Sequence, residues 1–228
     1  MSGGRLLAIG DIHGCDIALA LMLHTFAPTP DDQIILLGDI CDRGPNTSGV
    51  IEILLEWRER CDMRLVMGNH DEMMLAVFGR LPNGNLNFWW SVGGAETIES
   101  YGGDPNDVPE SHLDFLESAE PYLESDSEIY VHASVRDTLP LHEQSIETLR
   151  WEKVAGYERP HASGRRVICG HTSQRSGNPL VWPGWACIDT RVYDPEGWLT
   201  ALDVEADTIC QTNQFGQVRG PFPLQHFE

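Results

Sequence analysis

Short apolar runs rich in β-branched residues recur along the chain, each closed by glycine or a polar residue. The segments between them carry apolar positions at helical spacing. Residues 5–9, 33–37, 63–66, 128–131 and 166–169 predict buried strands. Residues 16–26, 47–60, 71–78 and, more weakly, 111–123 predict helices. In the second of these, Val50, Ile51, Leu54, Leu55 and Trp57 recur at helical spacing, with Thr47 or Ser48 as the N-cap. From Gly184 the pattern turns to strands, over 186–188, 198–204 and 208–212, with a turn at 194–197. Residues 81–87 and 102–109 read as surface loops, and 220–228 as a loosely held tail. Alternation of strand and helix followed by a β-rich stretch predicts an α/β layered fold, with sheets packed together and helices outside. There is no internal repeat or low-complexity linker, so residues 1–228 are expected to form one domain.

At 228 residues and 41% hydrophobic composition, the chain has enough apolar content for a substantial core. No segment approaches the roughly 18 apolar residues of a membrane helix, and residues 1–10 lack the basic start and apolar stretch of a secretory signal. The expected location is therefore the cytoplasm. Cys15, Cys41, Cys61, Cys169, Cys187 and Cys210 are dispersed without a C-x-x-C pair, which points to reduced, buried thiols. Cys41, between Asp39 and Asp42, raises the idea of redox sensitivity. Fifteen Lys and Arg against 35 Asp and Glu give a net charge of −20. Such a field repels polyanions and argues against general nucleic-acid binding. A phosphate substrate fits only where metal ions and a few fixed arginines reverse the field locally.

The residues that close the strands carry the chemistry. The first strand runs into Gly10-Asp11-Ile12-His13-Gly14, where side chains two apart in an extended segment point the same way. The second runs into Gly38-Asp39-Ile40-Cys41-Asp42-Arg43-Gly44, and the third into Gly68-Asn69-His70-Asp71. The fourth meets His132-Ala133 and the fifth Gly170-His171-Thr172. Taken singly, each is ordinary turn chemistry or a solvated ion pair of little value. In succession they supply what a preformed ligand set needs, because rigid elements fix donor positions. Carboxylate, imidazole and carboxamide donors suit borderline divalent ions such as Mn²⁺, Fe²⁺ or Zn²⁺. Asp11, His13, Asp39, Asn69, His132 and His171 are too many ligands for one open catalytic ion. A bridging carboxylate, Asp39 first among them, would hold two ions at the separation used in phosphoryl transfer.

The ordered set GDIHG, GDICDRG, GNHD, VHA and GHT resembles the calcineurin-like metallophosphoesterases, and within them the phosphoprotein phosphatase branch with its phage and bacterial serine/threonine phosphatases. The resemblance runs from Gly10 to Thr172, and more loosely through 89–103 and the strands after Gly184. It implies two packed mixed β-sheets flanked by helices, with the metal site at the C-terminal ends of strands. It also implies that Asp11 and His13 bind one ion, that Asp39 bridges, and that Asn69, His132 and His171 complete the second. His70 matches the general acid, with Asp42 orienting the imidazole and favouring its protonated form. Arg43 and Asn69 would bind phosphate oxygens, and activated water would attack phosphorus in line. The cofactors implied are two divalent ions, Mn²⁺ first, with Fe, Zn or Ni as the others.

The chain departs from the branch at three places. Relatives of the phage enzyme carry a second phosphate-binding arginine two residues after a tryptophan, where Trp151-Glu152-Lys153 here places a lysine. Lys153 is the candidate for that role, with Arg150 and Arg159 as alternatives, and an ammonium keeps the charge but loses the bidentate fork. Met67 and Asp71 stand where many protein phosphatases have arginine and glutamate. His24, His112, His142, His161 and His226 read as surface or packing residues, and Trp89, Trp90, Trp182 and Trp185 as packing. The first functional reading is a two-metal phosphomonoesterase acting on phosphoserine or phosphothreonine in proteins. The second is hydrolysis of a dinucleoside polyphosphate such as diadenosine tetraphosphate, and the last a catalytically silent binding module. The partners expected are a phosphorylated protein or a small phosphoester, with neither nucleic acid nor membrane.

Overall fold

The computed structural model describes residues 4–227. Its larger sheet holds, in spatial order, β11 (Val218–Pro223), β10 (Thr208–Thr212), β9 (Leu199–Asp203), β1 (Leu6–Ile9), β2 (Gln33–Leu36) and β3 (Asp62–Leu65). The smaller holds β4 (Leu123–Glu124), β5 (Glu128–Val131), β6 (Arg166–Cys169), β8 (Trp185–Cys187) and β7 (Leu180–Trp182). β1, β2 and β3 run parallel, as do β5, β6 and β8, and the other pairs are antiparallel. Both sheets are thus mixed.

Alternation along each strand sends neighbouring residues to opposite faces. Ala8, Ile35 and Leu202 of the larger sheet meet Tyr130, Ile168 and Ala186 of the smaller in one buried layer. Leu7, Ile9, Ile34 and Leu36 face the other way, onto Leu19 and Met22 of α1 (Asp16–Phe26) and Val50, Ile51 and Leu54 of α2 (Thr47–Arg58). The outer face of the smaller sheet, with Ile129, Val131 and Val167, packs on Leu149 of α7 (Ile146–Trp151). Burial on both faces is why these strands read as continuous apolar runs.

α3 (Asn69–Val77) starts two residues earlier than its pattern predicts, within the GNHD motif. The cap of α2 is Asn46, whose side chain accepts from Gly49 N at 2.9 Å, while the Thr47 hydroxyl is engaged with Thr97. α4 (Leu86–Trp89) continues through a π-turn, Trp90–Gly94, into α5 (Ala95–Ser100). At Gly93, φ is 126° and a Cβ would fall 2.6 Å from Arg43 N, so only glycine lets this turn close on the Asp42-Arg43 loop. α6 (Glu110–Glu117) is shorter than expected because Leu123 belongs to β4.

Residues 220–227, expected as a loose tail, are held instead. β11 pairs with β10 from Thr208↔Pro223 to Thr212↔Val218, and Leu224, 2% exposed, seals the layer between the sheets. Glu228 lies outside the described residues. Among the described residues no helix is long and apolar enough to cross a membrane.

Candidate active site

The loops that follow β1, β2, β3, β5 and β6 converge at one end of the two sheets. His132, after β5, places Nδ1 2.8 Å from the Leu37 carbonyl. That oxygen can only accept, so Nδ1 carries the proton and Nε2 presents a lone pair, 3.0 Å from Asn69 Oδ1 and 3.4 Å from Asp39 Oδ1. His171, after β6, donates Nε2–H to the Trp151 carbonyl at 3.0 Å and turns its Nδ1 lone pair to the same Asn69 oxygen at 2.9 Å. His13 donates Nδ1–H to the Cys41 carbonyl at 2.9 Å, leaving Nε2 3.5 Å from Asp39 Oδ2. Backbone carbonyls have therefore fixed three tautomers so that acceptors face acceptors around Asp39, the arrangement a metal ligand set has. Burial is the main force keeping the three imidazoles neutral: it holds His13 well below its usual value, lowers His132 and brings His171 to about 4.

His13, Asp39 and His70 form one cluster and Asp39, His132 and His171 a second, with donor atoms in each within 4.8 Å of one another. Asp39 belongs to both, as a bridging carboxylate must. Asp11 stands outside both, although its oxygens accept from His171 N at 3.1 Å. Gly170 makes this approach possible, since a Cβ there would lie 2.0 Å from Asp11 Oδ1. Behind Asp11 is Asp189, 1% exposed, with Oδ1 bonded to Arg191 N and Oδ2 without a partner. Burial, with mutual repulsion and the charge of Asp39, pushes Asp11 well above the carboxylate range, and burial foremost takes Asp189 to about 6. Crowded buried carboxylates beside unprotonated imidazoles fit divalent cations, which supply the missing charge.

His70 places Nδ1 2.6 Å from Asp42 Oδ2. The same carboxylate receives Trp89 Nε1 at 2.8 and 3.0 Å and the Thr97 hydroxyl at 2.8 Å, so it is pinned on every side. Burial disfavours the charged imidazole, but the Asp39 charge and the Asp42 hydrogen bond outweigh it and raise the His70 pKa. Arg43 donates to His13 Nε2 at 2.8 Å and to His70 Nε2 at 2.7 Å, and lies 4.9 Å from the Tyr193 ring centre. In this arrangement its guanidinium is the cation between the two imidazoles. His13, Asp39, Asp42, Arg43 and His171 all have φ between 46° and 74°, left-handed backbone that non-glycine residues adopt only when held there.

Lys153 is exposed just beyond α7, and its charge helps keep the His171 pKa low. Arg150 is committed elsewhere, to Glu72 at 2.7 Å, and Arg159 is exposed. Cys41 is fully buried and its thiol pKa is pushed well up by burial and neighbouring carboxylates, so the loop presents no reactive thiolate.

Sequence reasoning missed Trp89, Thr97, Asp189 and Tyr193 as parts of this site. Trp89 is core bulk as expected, at 1% exposure, yet its N–H serves Asp42. Asp71, seen only as a departure from the branch, accepts from Ile40 N at 2.9 Å and Gly68 N at 3.2 Å and ties two motif loops together.

A family model, the calcineurin-like phosphoesterases, matches residues 4–175, and the chain belongs to that family. That family has a dinuclear divalent-metal site, and candidate ligands for it are present here. The symmetrical bis(5′-nucleosyl)-tetraphosphatase of Citrobacter koseri is 46% identical over 72 residues, 31% of this chain and 24% of that protein. The Escherichia coli protein of the same name is 42% identical over 71 residues, 31% and 25% of the two chains. These matches span about a quarter of the relatives' length. Among solved structures, one provisionally described as a diadenosine tetraphosphatase has a TM-score of 0.66 at 20% identity, covering 92% of this chain and 93% of that one. The cold-active protein-tyrosine phosphatase of a psychrophilic Shewanella has a TM-score of 0.61 at 16% identity, covering 97% and 81%. A Sphaerobacter thermophilus metallophosphoesterase has 0.59 at 20% identity, covering 93% and 88%. These structures share the layered fold.

Proposed function

We propose that the chain hydrolyses a dinucleoside polyphosphate, such as diadenosine tetraphosphate, as a single catalytic domain in the cytoplasm. Two divalent cations, Mn²⁺ first and Fe, Zn or Ni as the others, would be held by Asp11 and His13 on one side of Asp39 and by Asn69, His132 and His171 on the other. The observation that carries this reading is the convergence of unprotonated lone pairs on Asp39. When bound, the cations activate water and screen the phosphoryl charge. His70, charged with the help of Asp42, gives its Nε2 proton to the leaving oxygen. Arg43 turns its fork of donors from the two imidazoles to the phosphoryl oxygens, with Asn69 beside it, and Lys153 at the rim meets the further phosphates.

The relatives' names and the GNHD form of the third motif favour the polyphosphate over a phosphoprotein, reversing the order of the sequence reading. Phosphoserine or phosphothreonine in proteins remains the second reading, favoured by the resemblance of the whole motif set to the phosphatase branch. Comparing kcat/KM for diadenosine tetraphosphate with that for phosphoserine and phosphothreonine peptides, in Mn²⁺, separates them. Faster turnover of the dinucleotide is expected, and the opposite ranking overturns the substrate assignment while leaving the hydrolase intact.

A further inference from the structure

We propose that the cavity beside the candidate metal ligands, walled by α3, the 82–88 segment and Trp151, is a nucleobase pocket. It encloses about 260 Å³ and is lined by Glu72, Met73, Ala76, Asn85, Phe88 and Trp151 among others. The proposal rests on the dinucleoside polyphosphate reading and adds where one base of that substrate sits.

Three observations point to a flat, uncharged, hydrogen-bonding occupant. Phe88 and Trp151 are 47% and 38% exposed, so two aromatic side chains stand open at the cavity, and aromatic faces are what unstacked bases pack on. The one charged lining residue, Glu72, is already neutralised: Oε1 accepts from Arg150 at 2.7 Å and Oε2 from the Trp151 indole at 2.8 Å. The pocket therefore offers nothing to a phosphate, whose charge belongs at Arg43 and the cations, but the fixed carboxylate keeps lone pairs for an exocyclic amine. Asn85 uses Oδ1 to cap α4 through Phe88 N at 3.1 Å, which leaves its NH₂ group to donate to a ring nitrogen or carbonyl.

The pocket is also joined to the reacting centre. The Trp151 carbonyl that fixes the His171 tautomer and the indole that borders the cavity belong to one residue. α3 begins at Asn69 among the candidate ligands and reaches Ala76 about 10 Å further on, at 1.5 Å per residue. A base linked through ribose and phosphate to a phosphorus beside Asn69 has the length to lie along it.

The test measures inhibition of p-nitrophenyl phosphate hydrolysis by adenosine 5′-monophosphate and by ribose 5-phosphate, which share the phosphate and differ by the base. In the parent, the nucleotide should inhibit at a concentration about tenfold lower or more, the value of one base–aromatic stack. The gap should close in Phe88→Ala and in Ala76→Leu, which fills the cavity, with p-nitrophenyl phosphate turnover unchanged in both. Equal inhibition by the two compounds in the parent, or a gap that survives both substitutions, overturns the pocket. Diadenosine tetraphosphate turnover is read separately: its absence with the adenosine preference intact sinks the substrate reading and upholds the pocket, and its presence without that preference does the reverse.

Discussion

His70 Nδ1 and Asp42 Oδ2 stand 2.6 Å apart with their side chains 2% and 0% exposed, a buried acid pair beside the candidate metal ligands. The Asp42 carboxylate favours the charged imidazole, and the Trp89 and Thr97 donors temper that effect by sharing its lone pairs.

Opposite substitutions around this pair should move activity in opposite directions along the pH axis. His70 donates only while protonated, so activity falls on the alkaline side as pH passes its pKa. The Asp39 charge and Asp42 together raise that pKa; Asp42→Asn removes the second of these, and the alkaline limb should move to lower pH, with a loss of about 10²-fold for a poor leaving group. Trp89→Phe keeps the bulk but removes a donor from Asp42, so the carboxylate has more of its lone-pair density for His70 and the limb should move up. Profiles of kcat against pH with phenyl phosphate check both, and limbs that stay in place in both variants would separate His70 from proton donation.

Metal binding should be visible as stability. The His132 and His171 lone pairs face the Asn69 oxygen and Asp39, and gain a favourable partner when a cation binds the folded chain. At a free Mn²⁺ concentration 100 times Kd, about 2.7 kcal/mol of stabilisation is expected per site. Thermal unfolding of metal-stripped protein with and without Mn²⁺ measures it. The rise in Tm should shrink sharply in Asp39→Asn, and a parent whose Tm ignores divalent ions contradicts the ligand assignment.

Far from the site, Asp32 anchors the start of β1. Its carboxylate accepts from the Arg5 guanidinium and backbone at 2.7 Å each and from Thr29 N at 2.8 Å, and the Arg5 side chain foremost holds its pKa well below the usual range. A depressed carboxylate contributes stability above the unfolded value, about 3.9, and loses it as pH falls towards the folded one. Asp32→Asn should cost about 1–3 kcal/mol at neutral pH, nearer the lower figure because Arg5 is 37% exposed and screened by water. In denaturant melts the gap between parent and variant should be constant near neutral pH and narrow progressively as pH falls below about 4.

The central strands and their closing residues were legible because local pattern decides them: both faces are covered, and each motif follows its strand directly. His13, Asp39, Asn69, His132 and His171 do come together, from loops as far apart as Asn69 and His171. Trp89 was not legible as a working residue, because its partner Asp42 lies 47 positions away and an indole reads first as bulk. β11 was hidden because its side chains are mostly exposed, and its place comes from pairing with β10 rather than from apolar alternation. Asn46 escaped notice as a cap because Thr47 and Ser48 are equally suitable residue types, and only the Thr47–Thr97 contact decides between them.

The most direct test of a two-metal phosphoesterase is p-nitrophenyl phosphate hydrolysis by metal-stripped protein titrated with Mn²⁺, with bound metal counted at each step. Activity absent in the stripped protein, appearing as the second ion binds and lost with that ion in Asp39→Asn, is the result expected. Full activity in the stripped protein, or none in the parent with Mn²⁺, Fe²⁺, Ni²⁺ or Zn²⁺, would contradict it.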